Sequence, residues 1–466
     1  MSKLWIPHKY QQDTEDFAID KSYAGLLLDP GLGKTSISLN MLNKLKRKTL
    51  VIAPLRVCHL VWPNETKKWT NFNNIKIAVM HGAEKEKQFL RNDVGVYVIN
   101  PEGIDWLHDM IKKHKRFPWE ILIVDESTKF KAHKAKRFKI LKTFLRMFKK
   151  RYILTGSLVS GGLLDLWAQI YILDLGKALG ETFYAYRNKY FFQSDYQGFK
   201  FEPHPWAMEQ ILDKIKPFCI HLSARDHLDL PEMIVNDIYV DLPEKVMKQY
   251  KQMEDKLFSE LSYDEESFKV VASSAGVAYG KCRQIIQGFM FEHLDELEKA
   301  KGRKPKFYHI HDEKAQALKS FTDSLDGNPA MIAFHYKPDL LKLQELYPGM
   351  PYIGSGVTMD QTRIIEREWN QGKYPILGGH PMSMGHGLNL QESGYNVIWY
   401  CLTDSYELYD QYNCRVLRQG AKSDHVMVTR IIARGTIDEA TIINLQNKGK
   451  TQSDMLNALK LYRRML

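Results

Sequence analysis

Short apolar runs punctuate the first third of the chain. Tyr23–Leu28 (YAGLLL), Thr49–Ala53 (TLVIA), Val94–Ile99 (VGVYVI), Ile121–Val124 (ILIV) and Arg151–Leu154 (RYIL) are strand-sized and bounded by Pro, Gly or charge. Stretches such as Ser36–Leu45 lie between them and read as helices. Unbroken apolar runs separated by helical stretches predict a parallel sheet with crossover helices. Functional loops in such a sheet sit at the carboxyl ends of the strands. After Asp165 the pattern changes. Residues 166–216 are aromatic-rich and mostly helical, and 242–297 are helical with charged faces. Then Ala330–Phe334, Tyr352–Gly354, Ile376–Gly378, Asn396–Tyr400 and His425–Ile431 restore the β/α alternation. The expected fold class is therefore α/β, with two parallel-sheet lobes and helical insertions. The segment 300–305 (AKGRKP) is the expected linker.

A chain of 466 residues suggests two or three domains. Its formal net charge of +11 favours a polyanionic partner, with nucleic acid first, because neutralised phosphates release counterions. A merely soluble basic protein fits the charge equally well. The five cysteines, Cys58, Cys219, Cys282, Cys401 and Cys414, are scattered and form no CxxC pair. That excludes a recognisable disulfide framework or structural zinc site and fits a reducing cytosol. The opening MSKLWIPHKY has no apolar signal core, and no apolar run approaches the ~20 residues that span a bilayer. A soluble, cytoplasmic chain with no membrane partner is expected.

The strand YAGLLL runs into DPGLGKT, Asp29 to Thr35, and then into a helix. That is the context of a phosphate-binding P-loop, whose backbone N–H groups and helix N-terminus hold phosphate oxygens. The nucleotide-binding set is Asp29, Gly31, Leu32, Gly33, Lys34, Thr35 and Ser36, with Lys34 on the β and γ phosphates and Thr35 on Mg²⁺. Leu28 stands where the common GxxxxGK[ST] form has its first glycine. ILIVDEST places Asp125 and Glu126 just beyond a second strand. A DE pair after a strand is on its own a common solvated turn. About ninety residues behind a P-loop, it reads as a metal-holding aspartate and a glutamate that orients and deprotonates the attacking water. The cofactors are then ATP and Mg²⁺.

These residues resemble a superfamily-two helicase-type ATPase, and within it the Swi/Snf branch, from about His8 to Glu439. Tyr10-Gln11 resembles the glutamine motif that reads adenine. VIAPLRVCHLVWPNETKKW (Val51–Trp69) resembles the motif Ia block, with Pro54, Arg56, Trp62, Glu65 and Trp69 in place. DESTKFKAH resembles motif II and LTGSLVSGGLLDLW (Leu154–Trp167) motif III with its Swi/Snf extension. FCIHLSARDHLDLP (Phe218–Pro231) resembles the arginine-bearing segment before the second lobe, and KCRQI (Lys281–Ile285) the LRQ helix. GHGLNL (Gly385–Leu390) is similar to motif V, QYNCRVLRQG (Gln411–Gly420) to motif VI, and GTIDE (Gly435–Glu439) to the closing segment. The short inserts resemble compact bacteriophage-encoded versions. Ser127-Thr128 stand where the family has Ala-His, Ser157-Leu158 where it has Thr-Pro, and Gly161 where it has Asn. The hydrolytic residues are intact; the departures lie where hydrolysis couples to DNA.

The resemblance implies two RecA-like lobes with ATP in the cleft between them. Gln11, Lys34, Thr35, Asp125 and Glu126 come from the first lobe, and Gly387, Gln411 and the arginine fingers Arg415 and Arg418 from the second. It implies a double-stranded DNA partner, contacted by Arg56, Asn100 and Ser383 mostly through phosphates. A monomer is expected, in a bacterial host's cytoplasm if the chain is phage-encoded. The expected domains are 1–226 with a helical extension over about 160–216, a helical insertion or linker 227–305, a second lobe 306–448 and a helical tail 449–466. An ATP-gated clamp that does not translocate, and a strand-separating helicase of phage replication or recombination, remain alternatives. The basic stretch Lys129 to Arg151 reads as either a solvated helix or a DNA track, and LYRRML adds weakly to it. The aromatics Phe183 to Phe192 read as the core of a helical insert, with base stacking the second reading. The histidines show no metal-binding spacing, and no separate nuclease module is expected.

Overall fold

The computed structural model describes residues 3–156, 158–159, 162–194, 201–261, 268–292, 294, 301–385 and 387–464. Ser157 and Gly161 of the motif III segment, Ala300 of the expected linker, His386 of the motif V segment and the last two residues of LYRRML lie outside the described residues. The chain divides into two compact units, one formed by Met1–Asp229 with Asn447–Leu466 and the other by Leu230–Gln446.

In the first unit the strands are β1 (Tyr23–Leu28), β2 (Thr49–Ile52), β3 (Ile77–Val79), β4 (Val96–Ile99), β5 (Ile121–Asp125), β6 (Lys150–Thr155), a hairpin of β7 (Phe191–Gln193) and β8 (Phe201–Pro203), and β9 (Cys219–Leu222). All but the hairpin form a seven-stranded sheet in the order β3-β4-β2-β5-β6-β1-β9, parallel throughout. β5 is buried at every position, and β1 from Ala24 onward. Helices cover both faces of a parallel sheet, so its strands need unbroken apolar runs rather than alternation. β1 lies between β6 and β9, and a Cβ at Gly25 would stand 2.7 Å from Cys219 Sγ, so only glycine lets β9 pair that closely. Because the strands are parallel, the loops after β1, β2, β4, β5 and β6 all open on one edge.

In the second unit the strands are β10 (Glu232–Val240), a hairpin of β11 (Phe289–Phe291) and β12 (Phe307–His309), then β13 (Ala330–Ala333), β14 (Tyr352–Ile353), β15 (Ile376–Gly379), β16 (Asn396–Trp399) and β17 (His425–Ala433). Six of them form a parallel sheet in the order β10-β17-β16-β13-β15-β14. Ala330 and Ile332 of β13 face one core cluster with Ile398 and Ile431, while Met331 and Ala333 face another with Trp399 and Val428. The expected fold class, two parallel-sheet α/β lobes with helical insertions, is the observed one. Each of the ten apolar runs overlaps a sheet strand.

Three sheet strands differ from the expectation. β3 has only three residues, and β9 buries the polar His221 within its four. β10 falls inside the 227–305 range read as a helical insertion. Asn236 and Asp237 interrupt its apolar run, because it is an edge strand with exposed positions. Its register is held by Asp237, which stands opposite Arg430 of β17 and accepts from that guanidinium at 2.6 and 2.7 Å. The expected linker lies in the β11–β12 hairpin, inside the second unit, and the unit boundary falls after Asp229.

Among the aromatics of 183–192, Tyr186, Tyr190 and Phe191 are core residues, whereas Tyr184 and Phe192 are exposed. Among the described residues no helix is long and apolar enough to cross a membrane, and no cluster of His, Cys, Asp or Glu could hold a metal ion.

Candidate functional site

The loop after β1 turns into the helix Lys34–Leu45 through Gly31 and Gly33, whose φ values are 93° and 80°. A side chain at Gly33 would be strained by that φ, and its Cβ would lie 2.6 Å from Gln11 Nε2. Gln11 is buried and donates from Nε2 to the Leu32 carbonyl at 3.1 Å, while its Oε1 accepts from His8 N at 3.0 Å. The glutamine therefore rests on the loop itself. Lys34 Nζ donates to the Leu28 carbonyl at 2.6 Å, folding its side chain back across the loop. No side chain caps the helix at Gly33, which leaves its first N–H groups suited to an anion.

Two further members of the expected nucleotide set are also engaged with protein. Ser36 Oγ donates to Glu65 Oε2 at 3.0 Å, and Trp69 Nε1 donates to the same oxygen at 2.6 Å. Asp29 Oδ2 accepts from Ala224 N at 3.0 Å, just after β9, and Oδ1 lies 4.0 Å from His221 Nε2. Burial pushes the Asp29 carboxyl up, but His221, the Ala224 N–H and Lys34 outweigh it and hold it below the ordinary range. These two residues tie the loop to Glu65 and to the end of β9.

Asp125 ends β5, buried, with Oδ2 accepting from Trp62 Nε1 at 3.0 Å. Burial raises its pKa, and Trp62 and Lys34 oppose the rise. Glu126 follows in the left-handed region at φ 66°, a strained conformation for this residue. Its N–H donates to the Leu154 carbonyl at 2.8 Å, and its Oε1 accepts from Thr128 Oγ1 at 3.4 Å and Thr155 Oγ1 at 3.3 Å. The glutamate is thus held from its own loop and from the end of β6. Ser127 Oγ donates to Gln169 Oε1 at 2.7 Å, and Gln169 Nε2 donates to the Leu158 and Asp165 carbonyls. Gln169 lies outside every quoted motif, and the motif segments that contain Thr155 and His221 gave those two residues no role. Their partners are tens of residues away, so spacing carries no signal for them.

The donor set fits Mg²⁺ and a nucleotide. The Thr35 hydroxyl and the Asp125 carboxylate are the hard oxygen donors that Mg²⁺ takes. The uncapped helix start and the two left-handed glycines form a backbone cradle that a Cβ at Gly33 would spoil. Of the expected DNA contacts in this unit, Arg56 follows β2 and is half-buried. Asn100 follows β4, is buried, and donates to Glu102 Oε2 at 2.8 Å.

In the second unit, Ser383 lies on the short helix Pro381–Met384 after β15, and Gly387 follows with φ 73°. Gln411 is buried, and its Oε1 lacks a hydrogen-bond partner. Arg415 is also buried. Its Nε donates to Gln411 O at 2.9 Å, and its two terminal nitrogens donate to Leu388 O at 3.1 Å and Gly385 O at 3.0 Å. It clasps the backbone on both sides of Gly387. Arg418 is half-buried, donates from Nε to Cys414 O at 3.0 Å and also to Asn389 Oδ1. Burial and then the Arg415 charge lower its pKa.

Comparison with known proteins places relatives along the whole chain. The SNF2-related domain family matches residues 5–290. Protein p41 of Acyrthosiphon pisum secondary endosymbiont phage 1 is 32% identical over 479 aligned positions, covering 98% of this chain and 99% of that protein. An uncharacterized ATP-dependent helicase of Mycoplasma genitalium is 24% identical over 92% of this chain, which spans 40% of that protein's length. The Sulfolobus solfataricus SWI2/SNF2 ATPase core, solved in complex with dsDNA, aligns over 98% of this chain and 97% of its own, with a TM-score of 0.44 and 20% identity.

Proposed function

This chain belongs to the SNF2-related family of ATP-hydrolysing, helicase-like proteins, and on that premise we propose that it couples ATP hydrolysis to movement along double-stranded DNA. The observation that carries the reading is the edge of the first sheet. The P-loop after β1, Asp125 and Glu126 after β5, and Thr155 at the end of β6 all stand at the carboxyl ends of parallel strands. Bound Mg²⁺–ATP supplies the anhydride whose hydrolysis drives the cycle. Lys34, which rests on the Leu28 carbonyl, would reach the β and γ phosphates, the loop N–H groups would hold phosphate oxygens, and Gln11 would read adenine. Thr35 and Asp125 would hold Mg²⁺. Glu126, steadied by Thr128 and Thr155, orients the attacking water and takes its proton.

Arg418 neutralises transition-state charge, a role worth roughly 10³–10⁵ in rate in related phosphoryl transfer. Arg415 supports it by fixing the loop that carries Gly387, with Gln411 beside it. Arg56, Asn100 and Ser383 contact the DNA backbone, and the net charge of +11 suits that partner. The motor acts as a monomer in the cytoplasm of a bacterial host, in keeping with its phage-encoded relative. An ATP-gated clamp is the second reading, motivated by the motif III departures Ser157-Leu158 and Gly161.

Turnover measured with duplex DNA, single-stranded DNA, RNA and no polymer tests the motor. Duplex stimulation is expected, and equal turnover in all four overturns it. Hydrolysis-dependent displacement of a triplex strand separates translocation from clamping.

A further inference from the structure

The structure sorts the basic stretch 129–151 residue by residue. Lys131 stands 3.5 Å from Asp165, Lys136 2.5 Å from Asp105, Arg137 3.7 Å from Glu102 and Lys149 2.7 Å from Glu120. Lys150 donates to the carbonyls of Ile19 and Lys21. The buried Arg151 donates to those of Leu173 and Phe148. These residues are committed to the fold or to surface acids. Lys134 and Lys139 are exposed and have no acidic partner among the described residues.

Between these lysines and the core lies His133. Its ring stacks on Phe183, with centroids 3.6 Å apart and planes 11° from parallel. Phe183 opens the helix Phe183–Tyr190, which brings Arg187 to the same place from some fifty residues along the chain. The Arg187 guanidinium lies 4.0 Å over the Phe201 ring and 5.3 Å from that of the exposed Tyr184. Lys134 adjoins His133, Lys139 lies on the helix Lys136–Phe144 just beyond it, and Arg187 lies one turn along the helix from the Phe183 that stacks on His133. Three cations from two segments are thus gathered where no anion of the described residues pairs with them; burial, followed by the charges of Lys134, Arg187 and Lys139, lowers the His133 pKa. Like charges brought together repel, and a bound anion turns that repulsion into attraction. The stacked guanidinium is already held in place, so little side-chain freedom is lost on binding.

We propose that Lys134, Lys139 and Arg187 form a contact for the phosphate backbone of duplex DNA, additional to Arg56, Asn100 and Ser383. This rests on the reading of the protein as a duplex-DNA motor and names a surface which that reading did not assign. The contact is with phosphates and is indifferent to base sequence.

The test is the affinity for a blunt DNA duplex of mixed sequence across a salt series. Each phosphate contact contributes about 0.9 to the slope of log K against log salt. In Lys134→Gln/Lys139→Gln the slope is expected to fall by about 1–2 relative to the wild type, with weaker binding at low salt. Lys134→Arg/Lys139→Arg keeps the charge and is expected to keep the slope. Lys112→Gln, an exposed lysine elsewhere on this unit, is expected to match the wild type. A double glutamine variant with wild-type slope and affinity overturns the patch, and so does a Lys112→Gln variant that loses as much. A wild type that shows no salt-dependent duplex binding overturns the motor reading, and this contact with it. A thermal melt of each variant excludes unfolding as the cause.

Discussion

Ser127 donates its hydroxyl to Gln169 Oε1 at 2.7 Å, and both side chains are buried. The same Gln169 donates to the carbonyls of Leu158 and Asp165, so one glutamine joins the loop after β5 to the segment after β6. Ser127 stands where relatives of the Swi/Snf branch carry alanine. The hydroxyl adds a hydrogen-bonded tie between two loops whose usual coupling residues are replaced here.

Gln169→Leu is expected to destabilise the first unit by about 1–3 kcal/mol, because it leaves a buried hydroxyl and two carbonyls without their partner. Adding Ser127→Ala removes the orphaned hydroxyl and is expected to recover part of that loss. Urea denaturation of both single variants and the double gives the coupling between the two sites. Simple additivity would show that the pair acts independently.

Arg415 and Arg418 are expected to separate on substitution. Arg415→Ala removes three hydrogen bonds to the backbone at 385–411 and is expected to lower the melting temperature as well as turnover. Arg418→Ala, half-exposed and less bound, is expected to cut DNA-stimulated turnover by roughly 10³ or more while melting close to wild type. Identical melting of the two variants would contradict the clasp role of Arg415.

Gly33→Ala is expected to raise the KM for ATP. The φ of 80° disfavours alanine, and the new Cβ would drive Gln11 Nε2 from the Leu32 carbonyl. Gln11→Ala relieves the contact but gives up the adenine contact proposed for Gln11, so Gln11→Ala/Gly33→Ala should differ from Gln11→Ala by the backbone penalty alone. Steady-state kinetics of the three variants checks this, and an unchanged KM in Gly33→Ala would remove the loop from the nucleotide site.

His335 gives the second unit a pH-dependent stability. Burial, then the charges of Arg283 and His380, lowers its pKa to about 4, while Asp404 offers a partial offset. The ring stacks on His380, itself shifted down by burial, with centroids 5.3 Å apart. Between pH 6.5 and about 4 the unfolded chain binds a proton that the folded chain refuses. Stability from this group is therefore fully present above that window and falls as pH drops through it, by up to about 1.4 kcal/mol per pH unit. His335→Gln is expected to flatten the fall. Denaturant midpoints of the second unit at pH 7, 6, 5 and 4, as test points, measure it.

Much of the fold was readable along the chain because buried parallel strands demand continuous apolar runs. β1, β5 and β16 show that signal, and the P-loop and DE residues follow β1 and β5 where sheet physics puts them. β9 and β10 were hidden because one carries a buried histidine and the other is an edge strand with Asn236 and Asp237 in its middle. The basic stretch shows the limit of composition. A run of lysines and arginines fixes net charge, but which of them meets Asp105, Glu102, Glu120 or a carbonyl depends on acids brought in from elsewhere.

The sequence by itself determined the two parallel-sheet lobes and the family, and nominated the residues proposed to bear the chemistry, because strand hydrophobicity and motif spacing are local properties of the chain. Only the tertiary structure decided that Ser36 and Asp29 serve the loop's own scaffold, that Arg415 is spent on backbone carbonyls, that Gln169 binds two loops together, and that Lys134, Lys139 and Arg187 converge on His133. Most of these contacts join segments distant in sequence, chosen by how each lobe packs internally and by which buried polar groups must find partners.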